Sequence, residues 1–266
     1  MRTLVTLEEL RHQVRVARDR GDRIGLVPTR GDLHDGHAAL LRTAHAQCDL
    51  VICTILRPDG APAFHETSDE RIAADGGAHL LWRPMPGPLV PHGRLRLVPA
   101  DAPDFAPTAT ADAQQLGIIH PDVVYVGDGH FDHARLLRDV ARELFFDIEV
   151  RMVETPRDPD GLPIGSATRQ LAASGRDAAA MIPRALDAIS EAVAGGERSL
   201  FRLRARTEAR LAEAGVELDV VDVATVDPLS FEPIDVFDRD VLLVVRTRVG
   251  GMPIVDSRLL PHAARD

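Results

Sequence analysis

Two hydrophobic patterns take turns along the chain: apolar residues at helical spacing, and short apolar runs without a break. Thr6–Gly21 opens with Thr6 as an N-cap and Glu9 three residues on, the spacing of a capping box. Leu7, Leu10, Val14 and Ala17 then keep helical spacing until Gly21 ends the run. Ile24–Val27 predicts a strand and Ala38–Ala46 a helix, with Pro28–His37 between them. Asp49–Leu56 is almost wholly apolar, as expected of a parallel strand buried on both faces, and Ala78–Trp82 repeats this in shorter form. Arg83–Pro107 is rich in proline and holds one candidate strand, Leu95–Val98, so it reads as a loop-dominated surface excursion. Regularity returns with a helix over Thr110–Leu116, a strand over Val123–Val126 and a helix over Phe131–Phe145. A strand over Ile148–Val153 and a polar loop over Glu154–Gly165 follow.

This alternation with short links predicts an α/β fold, a right-handed parallel sheet covered by helices on both faces. Gly165 to Gly175 reads as a hinge. Beyond it, Arg176–Ala194 and Ser199–Ala214 predict helices, and Val216–Val223, Val241–Thr247 and Gly251–Asp256 predict strands, a smaller α+β block. The expected division is therefore 1–172 and 173–266. There are no repeats and no low-complexity tails.

Pro28–His37, PTRGDLHDGH, is the stretch with the densest chemistry. It aims the start of a helix, with backbone N–H groups and a partial positive charge, at whatever lies past the strand. His34 and His37 flank Gly36, so both imidazoles can face one anion while the glycine allows close approach of phosphates. Arg30, on the same turn, has the geometry to clamp a carboxylate or phosphate. His130, Asp132 and His133 form a second titratable cluster at a strand's carboxyl end, where open α/β sheets bind ligands. The adjacent Asp132 and His133 are candidates to orient one another as an acid–base pair. A metal site from His34, His130 and His133 lacks any characteristic spacing. Arg157, Asp158 and Asp160 read as a solvated loop, and Arg202–Arg210 as the exposed face of a helix.

Composition changes the picture in three places. A formal net charge of −10 over 266 residues argues against a nucleic-acid partner. No apolar run is long enough to span a membrane, and Cys48 and Cys53 suit neither a disulfide framework nor a zinc site, so the expected setting is the cytoplasm. The chain has no lysine and no asparagine. Negative charge on a substrate must therefore be met by arginine, histidine, helix N-termini or Mg²⁺.

The stretch 28–37 resembles the HxGH motif of nucleotidyl-transfer enzymes, and the chain as a whole resembles the pantothenate synthetase family, the pantoate–β-alanine ligases. The likeness is carried by LVPTRGDLHDGH at 26–37, PDVVYVGDGHFDHARLLR at 121–138, FDIEV at 146–150, DGLPIGS at 160–166, DVVDVATVDPL at 219–229 and LLVVRTRVGGMPIVDSRLL at 242–260. The resemblance implies a Rossmann-like nucleotidyltransferase domain with a C-terminal lid domain, a homodimer, and a reaction in which Mg·ATP adenylates a carboxylate before an amine displaces AMP. It also implies that His34 and His37 stabilise charge on the α-phosphate. Pro28, Thr29, Gly36, His37, Gly127 and Ser166 would line the ATP site, with His130 where the family's ribose-binding aspartate falls.

Against this pattern the acid pocket is altered. Arg30 replaces the family's methionine, and LRPDGAPAF at 56–64 has no glutamine where the family's NPxQF supplies one. The family's GxKDxQQ falls on GDGHFDH at 127–133, so Gly129 replaces the lysine and Asp132 and His133 replace both glutamines. GSAT at 165–168 replaces SSRN, leaving Arg169 as the nearest arginine. The family's GHFxGV segment is missing. A site built on buried hydrogen bonds discriminates by roughly 10⁴-fold or more when a partner is lost, so pantoate is not the expected acid. The expectation is a ligase joining another small carboxylic acid and amine, with Arg30, Asp132 and His133 in the substrate pocket and Arg30 and Arg169 supplying the lost charge. The alternatives are a pantothenate synthetase with a rebuilt pocket, and a nucleotide-binding protein without catalysis.

Overall fold

The computed structural model describes residues 1–56, 66–84, 95–100, 102–213 and 218–262. They form two compact units, one of Met1–Gly127 with Asp132–Thr155, the other of Asp128–Phe131 with Pro156–Asp266.

The first unit is a six-stranded parallel sheet: β1 (Arg2–Leu4), β2 (Ile24–Thr29), β3 (Leu50–Ile55), β4 (Leu80–Trp82), β5 (Val123–Gly127) and β6 (Glu149–Val153), in the order β1-β4-β3-β2-β5-β6. Its helices are α1 (Leu7–Arg20), α2 (Asp35–Gln47), α3 (Glu66–Asp75), α4 (Ala106–Ile119) and α5 (Phe131–Glu143), the first residue of α5 counting with the second unit. The capping box of α1 forms as its spacing predicts: the Glu9 N–H donates to Thr6 Oγ1 at 3.2 Å and the Thr6 N–H to Glu9 Oε2 at 3.1 Å. Val27, Leu41, Val51, Cys53, Leu81 and Val123 belong to one buried cluster of this unit.

The strand order reverses between β2 and β5. These two strands pair only at Gly25↔Val123 and Leu26↔Val124, whereas β2 pairs with β3 along its full length. Pro28, which has no N–H to give, lies past the point where the β2–β5 pairing stops, so a proline is tolerated inside a central strand. A parallel sheet binds ligands at such a parting, beyond the carboxyl ends of its strands.

The second unit has helices α6 (Ser166–Arg169), α7 (Ala173–Ala179), α8 (Met181–Ala194) and α9 (Leu200–Glu213) against an antiparallel sheet of β7 (Leu218–Val226), β8 (Val241–Val249) and β9 (Met252–Leu260). Gly250 and Gly251, both at positive φ (55° and 80°), make the two-residue turn between β8 and β9. Leu186, Ile189, Leu203, Leu243, Val245 and Ile254 lie in its core.

The structure corrects several expectations. Leu95–Val98 is not a strand; Leu95 is 86% exposed, and the Leu97 N–H donates to Thr110 Oγ1. The expected single helix Arg176–Ala194 is two, and α7 begins inside the expected hinge. Pro183 explains the break at Ala180, because it cannot bond to the carbonyl of Ala179 and its ring crowds that turn. α3, β1 and α6 were not legible as elements; β1 and α6 are three and four residues long. Apart from these corrections, the compact units change at Thr155/Pro156, where the loop after β6 bonds to β9. Arg157 makes a bidentate pair with Asp256, which is fully buried, and Arg176 pairs with both Asp158 and Asp160. That loop is an ion-paired structure, not a solvated one.

Candidate active site

The turn after β2 is built from its backbone outward. Gly31 takes φ 87° and Asp32 φ 53°, a conformation that glycine and aspartate tolerate better than most residues. The buried carboxylate of Asp69, from α3, accepts the N–H of Asp32 at 3.1 Å and that of Leu33 at 2.8 Å. Thr29 Oγ1 donates to the carbonyl of Thr54 on β3 at 2.7 Å and accepts the Gly31 N–H. The histidines are thus carried on a turn tied to α3 and β3.

His34 is the N-cap of α2 and is buried, and His37 is half-buried. Their bonds are reciprocal: the Gly36 N–H donates to His34 Nδ1, and the His34 N–H to His37 Nδ1, each at 3.2 Å. Both Nδ1 atoms act as acceptors, so the proton of each neutral ring is on Nε2. The ring centroids are 4.1 Å apart. This refines the expectation of open N–H groups at the helix start, because the N–H of Gly36 is already taken by a histidine ring.

Arg30 is exposed and its guanidinium donates to Thr108 Oγ1 on α4. His133 is paired through Nε2 with Asp112 Oδ2 at 2.9 Å, not with Asp132. Adjacent residues on a helix point about 100° apart, so Asp132 and His133 cannot face one another as an acid–base pair. Gly127 closes β5 where a Cβ would lie 2.8 Å from Thr155 Oγ1, so any other residue would push that hydroxyl aside. His130, Ser166 and Arg169 belong to the second unit. His130 and Arg169 are exposed, and Ser166 and Arg169 bound the short helix α6, which Thr168 fastens by bonding the Gly165 N–H and the Pro163 carbonyl. At Gly129 a Cβ would meet only ordinary contacts, the nearest Pro163 at 3.6 Å.

Four residues that the sequence did not single out are buried and polar here: Asp69, Asp112, Gln115 and Thr54. Thr54 Oγ1 donates to Gln115 Oε1, so a glutamine does arrive beside the end of β3, but from α4. For Asp112 and Gln115 the only signal was their place in a helix among apolar residues; Asp69 and Thr54 carried none.

The geometry defines a parallel α/β protein with two histidines just past the carboxyl end of β2, beside the parting of β2 and β5. The sequence profile of the family described as pantoate-beta-alanine ligase matches residues 2–58 and 66–259. A pantothenate synthetase of Rhizorhabdus wittichii is 32% identical, covering 97% of this chain and 98% of that protein. One of Sinorhizobium medicae is 32% identical, covering 100% and 98%. A pantothenate synthetase structure from Thermus thermophilus superposes with a TM-score of 0.82 at 26% identity, covering 97% and 99%. The chain belongs to the pantoate–beta-alanine ligase family, whose members are ATP-dependent, AMP-forming ligases.

Proposed function

We propose that the protein adenylates a small carboxylic acid with ATP and transfers the acyl group to an amine, and that this acid and amine differ from pantoate and β-alanine. In the first step a carboxylate oxygen attacks the α-phosphorus and pyrophosphate leaves; in the second the amine attacks the acyl carbon, loses a proton and expels AMP. The observation that carries the reading is the reciprocal bonding of His34 and His37. It puts the proton of each ring on Nε2, on one turn beside the parting of β2 and β5, an arrangement suited to charge that grows on the α-phosphate.

Residues 1–172 act as the nucleotide-binding domain and 173–266 as the lid. Pro28, Thr29, Gly36, His37, Gly127, His130, Ser166 and Arg169 line the ATP site, and Arg30, Asp132 and His133 the acid and amine site. Among the described residues no three His, Cys, Asp or Glu side chains converge to hold a metal. Mg²⁺ fits as an ion brought by the ATP phosphates, which it would neutralise while keeping several waters. The changed acid is supported by His133, whose imidazole engages a buried carboxylate where the family has a glutamine. A cytoplasmic homodimer completes the reading, in keeping with the resemblance and with Cys48 and Cys53 being buried and unbridged.

The test is calorimetric ATP binding with Mg²⁺, wild type beside His37→Ala, followed by AMP release over a panel of acids and amines. ATP binds the wild type, and the substitution weakens binding and lowers AMP release on the order of 10²–10³-fold. AMP release peaks with an acid other than pantoate. Folded wild type that fails to bind millimolar ATP ends the enzyme reading, and a clear optimum with pantoate and β-alanine ends the changed-substrate reading alone.

A further inference from the structure

Helix α9 buries Leu200, Leu203, Thr207 and Leu211 and turns its opposite side to water. On that side Phe201 is 74% exposed. Val236, 65% exposed, lies along the same edge of the helix, held there by its neighbours. Asp235 pairs with Arg204 at 2.9 Å, and the Arg198 guanidinium sits 5.3 Å over the Phe237 ring. Arg198 and Arg204 fall three residues before and after Phe201, so the stretch 235–237 runs beside it.

Next to this apolar edge, Arg202, Arg206 and Arg210 follow one another at four-residue intervals, a ridge of charges about 6 Å apart along the axis. All three are exposed. Arg202 reaches Glu197 at 3.7 Å with its side chain 76% exposed, and Arg206 and Arg210 meet no carboxylate within ion-pair distance among the described residues. Like charges at this spacing repel one another, and here they stand together on a chain whose formal net charge is −10. A row of arginines alone is a solvated face. An exposed phenylalanine bordered by arginines has instead the composition enriched at protein–protein interfaces.

We propose that this face of α9 docks an acidic amphipathic helix of a partner protein. The partner's carboxylates, repeating every four residues, lie against Arg202, Arg206 and Arg210, and the apolar row beside them packs on Phe201 and Val236. The match is one of period as well as charge, because any α-helix repeats a side chain at i+4 with the same step of about 6 Å. A nucleic acid or an anionic bilayer offers negative charge over an extended surface, which the rest of this acidic chain repels; a single helix confines it to the ridge. The face shares no residue with those assigned to ATP, acid or amine, so the inference stands apart from the ligase reading.

The experiment titrates a labelled synthetic helix, with glutamate at every fourth position and leucine in the adjacent row, with the wild-type protein by fluorescence anisotropy. The peptide binds saturably, and raising the ionic strength weakens it. Phe201→Ser weakens binding about tenfold, and Arg206→Glu combined with Arg210→Glu about tenfold or more, while both variants keep the wild-type melting temperature. The lysine counterpart of the peptide binds the double variant and not the wild type. No saturation at millimolar peptide, equal binding of a glutamine counterpart, or a double variant that the lysine peptide fails to rescue overturns the inference. So does tighter binding of the wild type to phosphatidylserine vesicles or to an oligouridylate, lost in the same variants, which makes the face a membrane or nucleic-acid surface. A wild type whose sedimenting mass falls on Phe201→Ser, with no peptide present, makes it a contact between copies of this chain and overturns the inference as well.

Discussion

His79 puts a titration into the scaffold close to neutral pH. Its Nδ1 accepts the N–H of Val51 at 2.9 Å, and its ring stacks on His45 with centroids 5.1 Å apart. Burial, then the nearby His45 and the amino terminus, hold its pKa below the ordinary value. The folded protein therefore binds a proton there less readily than the unfolded chain, and stability is full above about pH 6.5 and declines as pH falls below it. Thermal melts from pH 7.5 to 5 should show this fall, and His79→Gln should flatten it; parallel curves for the two proteins would refute the assignment. Two other perturbed side chains of the first unit's core are silent in this range, because burial pushes the Cys53 thiol up to about 12 and raises the Tyr125 phenol above its ordinary value. Cys53 is thus a packing residue, and inert to mild thiol reagents while the protein is folded.

At the scale of elements, the turn between β2 and α2 depends on α3 as much as on its own glycine. Gly31 and the two histidines were legible because the turn's conformation and chemistry are written in consecutive residues. Asp69 was not, because nothing in ETSDERIAAD distinguishes a carboxylate that is buried against a turn 36 residues earlier. Removing it strands two backbone N–H groups. Asp69→Ala should cost about 2–3 kcal/mol in urea denaturation and weaken ATP binding several-fold, although Asp69 is no part of the proposed ATP site. Unchanged ATP affinity would mean that the turn holds its shape without α3. The buried polar residues of α4, Thr108, Asp112 and Gln115, have the same character. Periodicity locates the helix, but its start lies at Ala106, four residues before the expected Thr110, and the early turn carries Thr108.

At the scale of the whole molecule, the second unit depends on ion pairs of unequal worth. Arg157 and Asp256 are joined by two 2.8 Å bonds, Asp256 is fully buried, and the pairing holds the Arg157 guanidinium more firmly protonated than usual. Breaking such a pair from one side leaves a charge without compensation. Asp256→Ala should therefore destabilise the protein by about 3–5 kcal/mol. Asp158 pairs with Arg176 at a site where its side chain is 30% exposed, and Asp158→Ala should cost less than about 1 kcal/mol. Equal losses in urea unfolding for the two variants would show that burial is not what separates them. This contrast also explains why the compact units change at Pro156: position along the chain groups the loop with β6, whereas its strongest bond is to β9.

The amino-acid sequence by itself determined the alternation of strands and helices, the cap of α1, the glycine turn and histidine pair of 28–37, the parallel α/β class and the family. Each of these is written in residues a few positions apart, where backbone geometry and side-chain spacing act directly. Tertiary structure alone decided which polar side chains meet: Asp112 with His133 across 21 positions, Arg30 with Thr108 across 78, Arg157 with Asp256 across 99. The need of a buried polar group for a partner is a condition on neighbours in space, and periodicity along the chain carries no record of who those neighbours are.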